Sequence, residues 1–132
     1  MQKVFKYLKD NPLFYIATCE EEQPRVRPFG AIAEFEGKLY IVTNNQKKCY
    51  NQMISNPKIE ISTMGKDGTW IRIEATVVHD TRREARVQMM EQNQEALSQL
   101  YNVDDNLMEV LYLEDATATI YSFTKAPEVI KF

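Results

Sequence analysis

Two short stretches hold most of the residue types that could do chemistry. The first is Arg25-Val26-Arg27-Pro28-Phe29-Gly30. Arginines two apart on a strand project to one face. Each guanidinium offers a rigid fork of donors that matches a phosphate or a carboxylate. A solvated edge strand with two ordinary surface arginines accounts for the same residues. The second stretch is Thr43-Asn44-Asn45-Gln46-Lys47-Lys48, where an apolar strand gives way to a helix. A helix start presents free amides and the positive end of the helix dipole. Lysines in that first turn oppose the dipole, and a bound anion relieves the conflict. A polar cap with solvated lysines is the plainer alternative.

Other candidates are sparser. Thr69-Trp70-Ile71-Arg72 contains the only tryptophan, which could line a planar ligand's pocket or simply pack. His79 is the only histidine, which excludes any two-histidine zinc motif, and it reads as a surface or cap residue. Cys19 and Cys49 form no CxxC and read as small buried apolar residues. The four glycines make neither GxGxxG nor a phosphate loop. No nucleophile triad can be assembled, and no carboxylate pair stands out among 19 acids. Any redox or transfer chemistry must therefore come from a bound cofactor.

Composition bounds the class. The 132 residues suit one domain spanning the whole sequence. A net charge of −3 argues against a general nucleic-acid binder, because phosphate backbones demand a basic surplus. The opening Met1-Gln2-Lys3-Val4-Phe5-Lys6 is not a signal peptide, and no run reaches the ~18 apolar residues of a membrane span. A cytoplasmic protein with two free thiols is expected.

The elements that must position the candidates follow from periodicity. Val4, Phe5 and Leu8 share one face of a short amphipathic helix that stops at Asn11-Pro12. Leu13 to Thr18 reads as a strand. Arg25 to Phe35 is extended but interrupted at Pro28, which belongs at a sheet edge. Glu36-Gly37 turns the chain into the strand Lys38 to Thr43. Asn44-Asn45 opens a helix with Tyr50, Met53 and Ile54 on one face, ending at Asn56-Pro57. Strands follow at Lys58 to Ser62 and Trp70 to Val78. Thr81 caps a helix to about Gln99, with Glu84 as its capping-box partner. Leu107 to Leu113 and Ala116 to Phe123 make a final hairpin turning at Glu114-Asp115. About six strands arranged as hairpins, with two or three inserted helices, predict a mainly β (α+β) antiparallel barrel.

The order of these pieces is more specific than any one of them. Arg-x-Arg-Pro, a hairpin, a strand ending Val-Thr-Asn, a helix with Lys-Lys at its start and Asn-Pro at its end, then Trp-x-Arg-x-Glu, resembles the pyridoxamine 5′-phosphate oxidase-like family of FMN-binding split barrels. The resemblance runs from Leu13 to Val78 and more loosely to Phe123. It implies a six-stranded split barrel and a homodimer with FMN at the subunit interface. Carried over, Arg25, Val26, Arg27, Pro28 and Phe29 would meet the isoalloxazine edge and the phosphate. Val42 and Thr43 would flank the phosphoribityl chain, and Lys47 and Lys48 would bind the phosphate. Gln52, Thr69 and Trp70 would help close the pocket, the last two from either subunit. The tail Tyr121 to Phe132 has no arginine or histidine, so the family's substrate-holding Arg-x-His pair is missing. The chain therefore looks like the small FMN proteins of the family, some of which resemble nitroimidazole reductases. Others in the superfamily use deazaflavin or haem. The expected function is FMN-dependent oxidoreduction of a small molecule, or flavin binding without turnover. Freshly purified protein should absorb as a flavoprotein; a colourless protein would point instead to an apo interaction module.

Overall fold

The computed structural model describes residues 1–132. Helix α1 (Gln2–Asp10) leads into strands β1 (Phe14–Glu20), β2 (Gln23–Phe29), β3 (Ile32–Phe35) and β4 (Lys38–Asn44). Helix α2 (Lys48–Ser55) precedes β5 (Lys58–Met64) and β6 (Trp70–Asp80). Helices α3 (Arg83–Gln92) and α4 (Gln94–Leu97) precede β7 (Met108–Tyr121) and β8 (Glu128–Lys131). All strand pairs are antiparallel. The sheet runs β2-β1-β5-β6-β7-β4-β3, with β8 added to β7. This is the expected α+β split barrel, with eight strands and four helices where the periodicity suggested six and two or three. No helix is long and apolar enough to cross a membrane.

The differences in strand boundaries have local causes. Pro28 does not break the extended segment; it sits inside β2, opposite Tyr15, on an edge strand where a missing amide costs little. The break between β2 and β3 falls instead at Gly30-Ala31. Glu114-Asp115 is not a hairpin turn. Strand β7 runs through it for 14 residues. Its register against β6 shifts between Glu74 and Thr76, and Asp115 takes φ 49°. That is a β-bulge, which accommodates one extra residue and bends the strand. The Glu36-Gly37 turn is as expected, with φ 51° and 74°, the paired positive values of a type I′ hairpin.

Two helix starts differ from the sequence expectation. Helix α2 begins at Lys48 with Lys47 at the cap position, so Asn44 and Asn45 form a turn outside it. Its buried face is Cys49, Gln52 and Met53, whereas Ile54 is exposed. Thr81 does not cap α3; Arg82 holds the cap position without a side-chain cap bond. The buried Asp80 carboxylate takes the Arg82 amide at 3.0 Å and displaces the capping box. The helix breaks at Asn93, whose side-chain amide donates to Ile32 O at 2.8 Å and ties the break to β3.

Two apolar clusters result. One fills the barrel with Ile16, Ile41, Ile61, Ile73 and Leu111, and α1 plugs it with Val4 and Leu8. The other packs Tyr40, Val42 and Val110 under Ala85, Met89 and Leu97 of α3 and α4. Both faces of β4 are thus buried, which explains its unbroken apolar run.

A buried polar group pins this second layer. Asp80 accepts from Tyr40 Oη at 2.7 Å and from Arg82 Nη2 at 3.0 Å. Burial alone would raise the Asp80 carboxyl, but these hydrogen bonds outweigh it and hold the group at about 2, against an ordinary 3.8. A depressed carboxyl stabilises the fold above its unfolded value and loses that contribution as pH falls through its folded value. Asp80→Asn is expected to lower urea-unfolding stability by about 2 kcal/mol at neutral pH. The parent and variant curves should converge as pH drops from 3.8 towards 2. An offset that stays constant across that range would contradict the assignment.

Candidate functional site

The two stretches singled out in the sequence meet at one cleft. Strand β2 supplies Arg25, Val26, Arg27 and Pro28, and the start of α2 supplies Lys47 and Lys48, with Gln52 one turn further. Together they line a hollow of about 570 Å³. It carries four cations against one carboxylate, Glu20. In a chain of net charge −3 this is a local inversion of sign. Neither lysine's ammonium group makes an ion pair or a hydrogen bond within the chain, and both residues are exposed.

A second hollow of about 240 Å³ adjoins the first, sharing Arg27, Pro28, Lys47 and Cys49 with it. Its walls are mainly apolar: Phe29, Ala31, Val42, Leu97, Leu100 and Tyr101 among them. Phe29 is steadied by a stack on Phe14, with centroids 6.1 Å apart. The combined site is cationic at one end and apolar at the other, in the size range of small-molecule pockets.

The cationic end is built on a buried amide. Gln52 Oε1 accepts from Arg27 Nη2 at 2.6 Å and from Thr18 Oγ1 at 2.6 Å. Arg27 Nη1 also donates to Thr18 Oγ1 at 2.9 Å and to Ile16 O at 3.1 Å. Gln52 Nε2 reaches Glu20 Oε2 at 3.3 Å, and Arg25 Nη2 donates to Glu20 Oε1 at 3.1 Å. Hydrogen bonds from Arg25 and then Gln52 hold the Glu20 carboxyl below its usual range. Arg27 is thereby locked flat against β1, and Gln52 joins α2 to the strand pair. Gln52 is an acceptor for an arginine more plainly than a pocket-closing residue, a role that sequence spacing alone does not reveal.

Not every expected residue reaches this cleft. Thr43 is buried, with its hydroxyl 3.7 Å from Cys49 Sγ, and does not line either hollow. Thr69 and Trp70 stand at the far end of β6. Thr69 bonds Tyr7 Oη at 2.6 Å, and Trp70 stacks on Tyr121 with centroids 5.5 Å apart. Within one chain they are separate from the cationic end. Cys49 is buried as expected, but Cys19 is exposed, next to last in β1 and close to the turn; both are free thiols. His79 is half-buried rather than superficial, with Nε2 2.8 Å from Glu109 Oε1. No sequence pattern marks Leu97, Leu100 and Tyr101 as pocket residues, since only the fold brings α4 and the residues just after it to this hollow.

Comparison with known proteins places this architecture. The family model described as pyridoxamine 5′-phosphate oxidase matches residues 1–120. Nothing among curated proteins matches. A crystal structure of a NimC/NimA family protein from Clostridium acetobutylicum is 48% identical, with 100% of this chain and 92% of that chain covered and a TM-score of 0.96. General stress protein 26 from Bacillus anthracis is 17% identical, covering 99% of this chain and 97% of that one, with a TM-score of 0.73. A FAD-binding protein from Mesorhizobium loti is 15% identical, covering 92% and 94%, with a TM-score of 0.65. These last two share the fold.

The Gln52 network makes a prediction independent of any ligand. Gln52→Leu removes the acceptor for both Arg27 and the Thr18 hydroxyl, which is 2% exposed. Leaving these donors unpaired should cost about 2 kcal/mol in urea unfolding. Gln52→Glu keeps both acceptors and should lose less. Equal stability of Gln52→Leu and the parent would show that the network is idle.

Proposed function

The chain belongs to the pyridoxamine 5′-phosphate oxidase family, and from that premise we propose that it binds flavin mononucleotide and works as an oxidoreductase on a small planar molecule. One observation carries the reading: a cationic hollow and an apolar hollow lie side by side and share Arg27, Pro28, Lys47 and Cys49 as walls. A flavin mononucleotide has the same polarity, a dianionic phosphate joined through a short chain to a flat ring system. The fit rests on donor chemistry. Lys47 and Lys48 have free ammonium groups, and the first amides of α2 lack intrahelical partners.

Each residue has a role in this reading. Lys47 and Lys48 hold the phosphate. Arg27, already committed to Gln52 and Thr18, fixes the strand edge and contributes charge rather than a free fork. Arg25, shared with Glu20, screens the mouth. Phe29, Val42 and Leu97 exclude water from the ring's surroundings. The redox chemistry is the flavin's own, and the chain's part is to bind it, orient it and keep it dry. A nicotinamide or other cellular reductant supplies electrons, and a flat nitroaromatic suits an acceptor stacked near Phe29.

The assembly proposed with it is a homodimer. The sheet leaves Met64 68%, Val26 67% and Tyr15 46% exposed, with Met64 paired to Trp70 of the Trp70–Tyr121 stack. A second copy over this face would bury them and could bring a partner's Thr69-Trp70 region to the flavin. Static light scattering should give a mass near twice 15.4 kDa; a monomer in the presence of FMN would remove this part.

Two measurements test the rest. FMN should bind far more tightly than riboflavin, and Lys47→Ala or Lys48→Ala should weaken FMN about tenfold to a hundredfold. Equal affinity for the two flavins would end the phosphate assignment. Reduced protein mixed anaerobically with a nitroimidazole should reoxidise, whereas pyridoxamine 5′-phosphate should release little hydrogen peroxide. No reoxidation by any of several acceptors would favour a flavin-binding protein without turnover.

A further inference from the structure

The turn that leads to Lys47 and Lys48 is anchored mainly by groups that line neither hollow. Asn45 Nδ2 donates to Asn106 O at 2.7 Å and to Glu109 Oε2 at 2.8 Å. Its backbone N–H donates to Leu107 O at 3.0 Å. The other Glu109 oxygen lies 2.8 Å from His79 Nε2, and the two side chains are 19% and 22% exposed. Tyr50, from the first turn of α2, closes the group with its ring edge-on to His79, centroids 5.5 Å apart. Asn44 is held as well: its Oδ1 accepts from Gln46 N at 2.9 Å, and its Nδ2 donates to Tyr101 Oη at 3.1 Å.

An asparagine pair that caps no helix is thus spent on fixing a turn to β6 and β7. The consequence is chemical. Lysine is a point charge on a long flexible stem, so its contribution to anion binding depends on how firmly its backbone is held. A mobile turn would pay ordering entropy on binding; a fixed one has paid it on folding. Asn45 and His79 occupy both oxygens of Glu109, so the carboxylate is held in place on the strand that anchors the turn.

We propose that Asn45, held by Glu109 and His79, is a positioning residue for Lys47 and Lys48, and that this network sets the preference for phosphorylated over unphosphorylated flavin. The inference rests on the FMN reading above. It predicts a selective defect. Asn45→Ala and Glu109→Ala should weaken FMN about five- to tenfold while changing riboflavin affinity by less than about twofold. Glu109→Gln keeps a carbonyl oxygen for Asn45 and should retain most of the FMN affinity. In a Lys47→Ala/Lys48→Ala background, adding Asn45→Ala should have little further effect, because the network acts through those lysines. Backbone hydrogen exchange across residues 44–48 of the unliganded protein should be faster in Asn45→Ala than in the parent.

The outcomes separate. A parent protein that binds neither flavin overturns the proposed function and this inference with it. A parent that prefers FMN, with an Asn45→Ala variant that keeps the same preference, overturns only the positioning role. Equal loss of FMN and riboflavin in Asn45→Ala would also overturn it, as a general structural defect. Should Asn45→Ala fail to fold, Glu109→Ala read against Glu109→Gln gives the same discrimination.

Discussion

The antiparallel ladder between β6 and β7 is the constraint on which the rest of the structure depends. In the strand order, β7 is the only link between the β2-β1-β5-β6 side and the β4-β3 side. One strand must therefore pair with β6 along nearly its whole length, with β4 over its first half and with β8 over its second. The bulge at Asp115 makes this possible. The strand bends there, and Ala116 exchanges two backbone hydrogen bonds with Phe132, at 2.7 and 2.9 Å.

Closure of that ladder puts the site's two halves together. Arg27 arrives on an edge strand at one end of the sheet, and Lys47 follows the strand next to the other end. They meet because α2 crosses back and sets Gln52 against β1. The buried amide is a neutral mediator in a charged place. It accepts from a guanidinium and a hydroxyl without adding a negative charge that would cancel the cationic field. A carboxylate there would satisfy the same donors and blunt the attraction for an anion. Glu20 supplies the only opposite charge, at the more exposed side of Arg25.

The apolar half of the cleft belongs to the second core. Val42 and Leu97 are buried in the cluster that packs β4 and β7 under α3 and α4, and both reach the cleft wall. Stability and ligand contact are therefore coupled at that wall. Asp80, with Tyr40 and Arg82, anchors the layer from its opposite side by satisfied hydrogen bonds.

Local chemistry was enough to read much of this. The period of two located β5 and β6, apolar runs located β1 and β4, and Asn-Pro pairs ended both α1 and α2 where expected. Charge type and spacing picked out Arg25, Arg27, Lys47 and Lys48, all of which line one cleft. These features depend on near neighbours in the chain, so the sequence determined them. Tertiary structure decided the others. Asn44 and Asn45 have the letters of a helix cap, but partners on β7 and Tyr101 outbid the helix for their side chains. Thr81 lost its capping role to a buried carboxylate one residue earlier. Glu114-Asp115 became a bulge because strands on both sides demanded a continuous β7. Thr43 turned inward and Trp70 fell at the far end of its strand, although their residue types suited a pocket. The wall formed by Leu97, Leu100 and Tyr101 has no local signature, since helix α4 covers β4 from more than fifty positions away in the chain. Short-range propensity settles where a strand runs; which face it turns to a ligand is settled by partners that only the folded chain supplies.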